Sequence, residues 1–552
     1  MHIPQDDTAA RPKKLENELL ELVAIPSITG TREEVRIARH IHAKLQQWPY
    51  FQSHPSQLQL ITKKPPDIPY PLEAVFALIK AGQPTRKTIL LIAHFDVVAV
   101  HNYGPLKDQA FDPPELAKKL PSLDLPEAAR QDLESGEYLF GRGVMDMKLG
   151  LALEMDVLEE FSRQTDLYGV NIALLAVGDE ENNNAGMRQG VDYLHQNCPE
   201  LDLDIACVID TEPSDAGSPG TSEQMVFLGT TGKLLPFFYI LGLGSHAGNY
   251  YQGLSASLLA ANVQRLIEAN PDLSDTDHGE VTAPPPSLGF ELRRREYSVT
   301  LPDRVATYFN YFALAKRPSA ILKEMTDLAG EAVVRTQARL DVSYRELQTM
   351  GYKGPQSRIQ VRVLRYEELY AEIQAAFDGD LDRTMTDAAK GLPETADVRE
   401  RGFLLVEKLL EFRQDDAPIV ITGLLPPFLP PRTSLGDSPK ERALQKAVDR
   451  LQDYAGQAYA TVLKKAVYFG GICDLSYAGC DFASEELERV AQNIPGWGTI
   501  YDIPLEAVQA LDAPVINIGP RGRDAHKMTE RLEKDYAFRV LPDLIRFLIR
   551  NL

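Results

Sequence analysis

Five short clusters in this sequence carry residue types able to hold a cation and move a proton. His94-Phe95-Asp96 closes the apolar run Thr88–Ala93. Residues two apart on a strand share a face, so His94 can ligate a metal while Asp96 stands behind it. A carboxylate in that position fixes the histidine's orientation and raises its basicity. Alone, the pair reads more simply as a satisfied core histidine. Asp146, in Gly141-Arg142-Gly143-Val144-Met145-Asp146-Met147-Lys148, stands just before a helical pattern and alone reads as its N-cap. Gly178-Asp179-Glu180-Glu181 precedes three asparagines. Neighbouring strand residues point to opposite faces, so both glutamates reach one site only where a strand ends, and the asparagines mark that end. Two adjacent carboxylates can divide the work, one ligating metal and the other transferring protons. Asp210-Thr211-Glu212-Pro213 follows another apolar run, and Asp524-Ala525-His526 comes soon after Val515–Ile518.

Four of the five clusters follow buried-strand patterns and the other opens a helix. Open α/β sheets bind ligands outside the carboxyl ends of their strands, and this shared placement lifts the five above their separate, blander readings. Histidines with several carboxylates suit zinc or another divalent ion of similar preference. Two ions about 3.5–4 Å apart need one bridging carboxylate.

The elements that must position these residues follow from apolar periodicity. Buried strands are expected at Ala74–Ile79, Thr88–Ala93, Asn171–Val177 and Ile205–Ile209, with helices near 14–28, Lys148–Arg163 and Met187–Gln196. Thr31 and Glu34 have capping-box spacing ahead of a helix. Alternating strands and helices imply an α/β domain with a mostly parallel sheet. Residues 213–222 read as a linker, after which the rhythm changes. Strand-like Leu234–Leu243, helix Ser255–Ala269, strands Tyr297–Leu301 and Thr307–Leu314, helix Ser319–Arg339 and strand Arg358–Arg365 suggest an inserted α+β domain, a small sheet with two helices on one face. Residues 366–415 are mostly helical and charged. Buried-strand style returns at Pro418–Thr422. The expected organisation is a catalytic domain at 1–225 and 416–552, interrupted by a lid domain with helical extension at 226–415.

Composition narrows the function. A chain of 552 residues exceeds one hydrophobic core. The net charge of -21 argues against nucleic-acid binding, which needs a basic face, and against an anionic membrane surface. Four cysteines without a CxxC pair, no apolar leader and no apolar run long enough to span a bilayer point to a soluble cytoplasmic protein.

The ordered set AHFDVV, GRGVMDMKLGLA, GDEEN, DTEPS, LGSHAG, GGICD and AHKMTE resembles the M20 family of metallopeptidases and amidohydrolases, across nearly the whole chain. The segment HNYGPLKDQAFDPPEL, the large insert and the ending DAHKMTERLE are most similar to its arginine-utilisation (RocB-like) branch. The resemblance implies a zinc-exopeptidase-like α/β/α fold and two zinc ions. In its terms Asp146 bridges, His94 and Glu212 complete one site, and Glu181 and His526 complete the other. Glu180 is the general base and Asp96 orients His94. Asp210 rivals Glu212 as ligand. His246 matches the lid histidine that polarises the scissile carbonyl, often across a dimer interface, so a homodimer through the lid is implied. Gly470 and Gly471 match a substrate-approaching glycine pair, which reads equally as a plain turn. Where relatives carry a carboxylate-binding arginine, this chain has Asn310, with Arg304 nearby, so Asn310 is the substrate-binding candidate there. The expected activity is two-metal hydrolysis of an amide, peptide or N-acyl, in a small amino-acid-derived substrate of arginine or ornithine type. The rival is a non-catalytic binding or regulatory protein on the same fold. A two-metal phosphatase fits poorly, because no basic phosphate-binding cluster is present.

Overall fold

The computed structural model describes residues 11–215, 223–294 and 297–552. The chain divides into two compact units, one of Met1–Thr231, Arg432–Cys480 and Pro504–Leu552, the other of Gly232–Pro431 and Asp481–Ile503.

The first unit is built on an eight-stranded sheet in the spatial order Leu58–Lys63, Leu72–Ile79, Asn171–Val177, Lys87–His94, Asp204–Asp210, Val515–Asn517, Glu223–Phe227, Val462–Ala466. Pairing is parallel from Asn171–Val177 through Val515–Asn517 and between the last two strands, and antiparallel at the other three junctions. Every residue of Leu72–Ile79 and Asn171–Val177 is buried, the pattern of strands covered on both faces. Helices Arg11–Val23, Glu33–Gln46, Lys148–Arg163, Pro439–Tyr459 and Leu541–Asn551 share one apolar core with the sheet. Helix Lys148–Arg163 has the span its periodicity predicts. The expected helix at 14–28 instead covers Arg11–Val23.

The second unit holds a sheet in the order Ser287–Leu292, Arg304–Phe309, Gly232–Leu241, Ile419–Leu429, Arg362–Arg365, with Tyr311–Ala313 beside Gly232–Leu241. Adjacent phenylalanines show how its faces are covered. Phe238 is opposite Thr307 and Thr422, whose hydroxyls meet Gln264 of helix Ala256–Ile267 and Thr326 of helix Pro318–Thr349. Phe237, pointing the other way, packs edge-on against Phe403 of helix Val398–Leu410, with centroids 5.7 Å apart. The 366–415 segment therefore covers the sheet face opposite the two expected helices, which explains why all eleven residues of Ile419–Leu429 are buried.

Three expectations are corrected. The strand returning at 418–422 belongs to the second unit's sheet, not to the resumed catalytic domain, and the crossing comes at 431–432 rather than 416. A strand buried on both faces reads the same in either sheet, so periodicity could not assign it. Residues 481–503 also join the second unit. Tyr297–Leu301 is no strand: Tyr297 is 93% exposed, and Thr300 makes only an isolated bridge to His246. Of the expected linker, residues 216–222 lie outside the described residues.

Candidate metal centre

The clusters at 94, 146, 180–181, 212 and 526 converge within the first unit, at the carboxyl ends of strands Lys87–His94, Asn171–Val177 and Asp204–Asp210. His94 Nε2 lies 3.3 Å from Asp146 Oδ1 and 3.2 Å from Glu212 Oε1. His526 Nε2 lies 3.1 Å from Asp146 Oδ2 and 3.1 Å from Glu181 Oε1. Asp146 thus turns one oxygen toward each histidine. Glu180 Oε2 is 3.9 Å from His94 Nε2. Donor atoms each roughly 2.0–2.2 Å from one tetrahedral zinc sit about 3.3 Å from one another, which is the spacing found here.

A second set of side chains fixes these donors. His94 donates Nδ1–H to the backbone carbonyl of Asp96 at 3.0 Å, leaving the Nε2 lone pair directed at Asp146 and Glu212. The Asp96 carboxylate is 3.5 Å from the same Nδ1, but its hydrogen bonds come mainly from elsewhere. It accepts the amides of Glu180 and Glu181, each at 3.2 Å, and the Thr29 hydroxyl at 2.8 Å. Asp96 therefore aims both glutamates as well as the histidine. Glu34, fully buried, accepts the amides of Asp179 at 2.8 Å and Gly30 at 2.9 Å and the Tyr70 hydroxyl at 2.8 Å. The capping box expected of Thr31 and Glu34 is thus replaced, because a buried carboxylate takes the donors that its tertiary surroundings offer. Asp146 is likewise no N-cap: Met147 holds that place with no side-chain cap.

Sequence reasoning missed several supports. Glu530, fully buried, accepts the amides of Gly143, Met145 and Asp146 at 2.9, 3.3 and 3.4 Å and pairs with buried Arg142, so it shapes the loop carrying Asp146. Asn102 donates to the backbone carbonyl of His526 at 2.7 Å. Asn184 donates to buried Asp474 at 3.0 Å. Arg142, Asp474 and Glu530 lie within the family motifs and Asn184 ends the asparagine run, but nothing in their spacing gives them partners.

The electrostatics suit divalent cations. Burial, with repulsion from Glu212, Glu181 and Asp474, pushes Glu180 well above the carboxylate range despite His94 nearby. Burial raises Glu212 to about 8 and Asp474 to about 7. Hydrogen bonds that His526 donates to Asp146 and Glu181 lift it to about 10. Burial would raise Asp146, but His526 and His94 outweigh it and hold it low. So many acids packed round two imidazoles call for compensating positive charge, and the donor set fits two ions.

The remaining candidates divide. Glu212 lies against His94, whereas Asp210 turns Oδ1 onto the amide of Thr211 at 2.8 Å. Gly470 and Gly471 are exposed; a Cβ on Gly470 would meet nothing within 4 Å, while one on Gly471 would strike the Phe469 ring at 2.5 Å. His246 and Asn310 belong to the second unit. Exposed His246 accepts the amide of Gly248 at 3.1 Å through Nδ1, capping the short helix Ala247–Gln252. Asn310 is 5% exposed, and its amide donates to Pro286.

Known proteins resemble this chain along nearly its whole length. Uncharacterized protein YqjN of Bacillus subtilis (strain 168) is 33% identical over 541 residues, covering 97% of this chain and 95% of its own. Protein RocB of the same strain is 30% identical over 541 residues, covering 97% and 94%. The solved structure of the di-peptidase Dug1p from Saccharomyces cerevisiae shares the fold, with a TM-score of 0.54 at 13% identity and coverage of 99% and 97%. The profile of peptidase family M20/M25/M40 matches residues 90–550. With that match over most of its length, the chain belongs to peptidase family M20/M25/M40 and is an enzyme of the metallopeptidase and amidohydrolase kind.

Proposed function

We propose that this protein hydrolyses an amide bond, peptide or N-acyl, in a small amino-acid-derived substrate, using two zinc ions. The observation that carries the reading is Asp146, whose two carboxylate oxygens face His94 and His526 at 3.3 and 3.1 Å. His94, Asp146 and Glu212 would hold one ion, and His526, Asp146 and Glu181 the other. When bound, the ions supply Lewis-acid polarisation of the substrate carbonyl and a lowered pKa for water. Glu180 takes a proton from the attacking water and delivers it to the leaving nitrogen. Asp96 keeps Glu180 in place through its amide. The family resemblance adds His246 as the group that polarises the carbonyl, and its Nδ1 already takes the amide of Gly248, leaving Nε2 as the donor.

The resemblance to the arginine-utilisation branch, with 30% identity to protein RocB along nearly the whole chain, supports a role in arginine or ornithine metabolism, and a cytoplasmic location is part of the proposal. A homodimer through the second unit is part of the proposal. Its edge strand Ser287–Leu292 presents Leu288, Phe290 and Leu292 on one side, 50, 43 and 50% exposed, a row that invites pairing with another edge.

The test is Glu180→Gln, with metal content and turnover measured on dipeptides and N-acyl amino acids that include arginine and ornithine derivatives. Metal content should hold while kcat falls about 10²–10⁴-fold. Unchanged turnover removes Glu180 as the base. A fully metal-loaded wild type inert on the whole panel favours the non-catalytic reading.

A further inference from the structure

We propose that the second unit carries a binding site for a small organic cation, a guanidinium or alkylammonium group on a short stem. The site is a cavity of about 720 Å³ lined by none of the metal-cluster residues. That volume is within the usual range for small-molecule sites, roughly 300–1,000 Å³.

Aromatic and acidic side chains line it together. Tyr366 and Tyr370 stand one turn apart on helix Tyr366–Ala376, ring centroids 6.1 Å apart. Trp497 sits between Gly496 and Gly498, both at φ +76°, in a tight turn that only glycine adopts without strain. Partly exposed, Trp497 packs edge-on against Tyr501 at 5.9 Å. The carboxylates are Glu367, Glu368 and Asp382, and no lysine, arginine or histidine lines the cavity.

Two of these acids have cationic partners just behind the wall. Glu368 pairs with Arg365 at 2.7 Å, and Glu367 with Arg489 at 2.9 Å and Arg365 at 3.3 Å. Asp382 differs. Its hydrogen bonds come from neutral donors, the Tyr370 hydroxyl at 2.7 Å and the Gln374 amide at 3.3 and 3.4 Å. Among the described residues no ion pair balances its charge. Asp382, which is exposed, and Tyr370 thus form a hydrogen-bonded pair, one offering a carboxylate with no ionic partner and the other an adjacent aromatic ring. A cation bound there donates a charge-assisted hydrogen bond to the first and is attracted to the rings of Tyr370 and Trp497. An anion meets three carboxylates and no donor of positive charge.

The chain has two tryptophans, Trp48 and Trp497, so the full-length Trp48→Phe protein reports the cavity by its fluorescence. L-arginine and L-lysine are titrated against it, with citrulline and glutamate as neutral and anionic controls. Both cations should give a saturable change, with citrulline about tenfold weaker or worse and glutamate silent. Asp382→Asn and Tyr370→Ala should each weaken binding about tenfold while leaving metal content unchanged. Calorimetry on the wild type and the same two variants gives the result if Trp48→Phe misfolds. Asp146→Ala, which removes the ligand shared by both halves of the metal centre, should bind as the wild type does, which separates this site from the hydrolytic one. The proposal is overturned by a non-saturating response well above millimolar ligand, by equal binding of citrulline, or by cation binding that Asp382→Asn does not change.

Discussion

Asn102 and His526, separated by 424 positions in the chain, are joined by a hydrogen bond of 2.7 Å from the Asn102 side chain to the His526 carbonyl. His526 is 51% exposed at its side chain and has φ +64°, a backbone setting that needs external support. Asn102 lies in the proline-rich segment after strand Lys87–His94, so that segment steadies one side of the candidate metal centre. Asn102→Ala should weaken the His526 ion about 10–100-fold while sparing the His94 ion, because loss of an outer partner typically costs that much affinity. Stepwise release to a chromogenic chelator measures it. Equal weakening of both ions would refute the assignment.

Metal removal should cost stability as well as activity. An ion present at about 1,000 times its dissociation constant stabilises the folded state by about 4 kcal/mol. Exhaustive chelation should therefore lower the melting temperature by several degrees, reversibly on adding zinc. Asp146→Ala, which removes the oxygens shared by both histidines, should abolish the zinc-dependent part of that shift. Differential scanning fluorimetry with and without chelator reads the effect.

Acid sensitivity has a source away from the metal centre. Burial alone would raise the Asp156 carboxyl, but Arg546, Lys14 and Arg11 outweigh it and hold it below its ordinary value of 3.8. A carboxyl depressed in the folded state adds stability that is complete above its unfolded pKa and lost as pH falls through the folded one. Asp156→Asn should therefore destabilise the protein near neutral pH by about 1–2 kcal/mol, since buried Arg546 loses one charge partner and keeps Glu160 at 2.5 Å. Wild type and variant should begin to converge only as pH falls below about 4 and should meet below the depressed folded value. Urea midpoints across pH give the comparison.

The edge strand Ser287–Leu292 provides a test of assembly. Phe290→Lys puts a charge in the middle of its exposed apolar row, a device that blocks edge pairing. Light scattering should find the wild type dimeric and the variant monomeric, with zinc content unchanged. A wild type that stays monomeric at high concentration removes the dimer from the proposal.

Local signals in the chain were enough to pick out which residues could do chemistry and the kind of element that carries each one. His94 ends the strand expected to carry it, and the asparagines after Glu181 mark a real strand end, because apolar runs and turn residues are local signals. Helix Lys148–Arg163 could be read to the residue for the same reason. Tertiary structure alone decided the partners. Glu34 has the spacing of a helix cap and serves instead as an acceptor for Asp179 and Tyr70, since hydrogen-bond geometry overrides local propensity once a carboxylate is buried. Glu530 reaches Gly143 and Arg142 across almost four hundred residues, and no periodicity encodes such a contact. Strand Ile419–Leu429 looked like a return to the first sheet and pairs in the second, because burial on both faces fixes a strand's surroundings but not its neighbours.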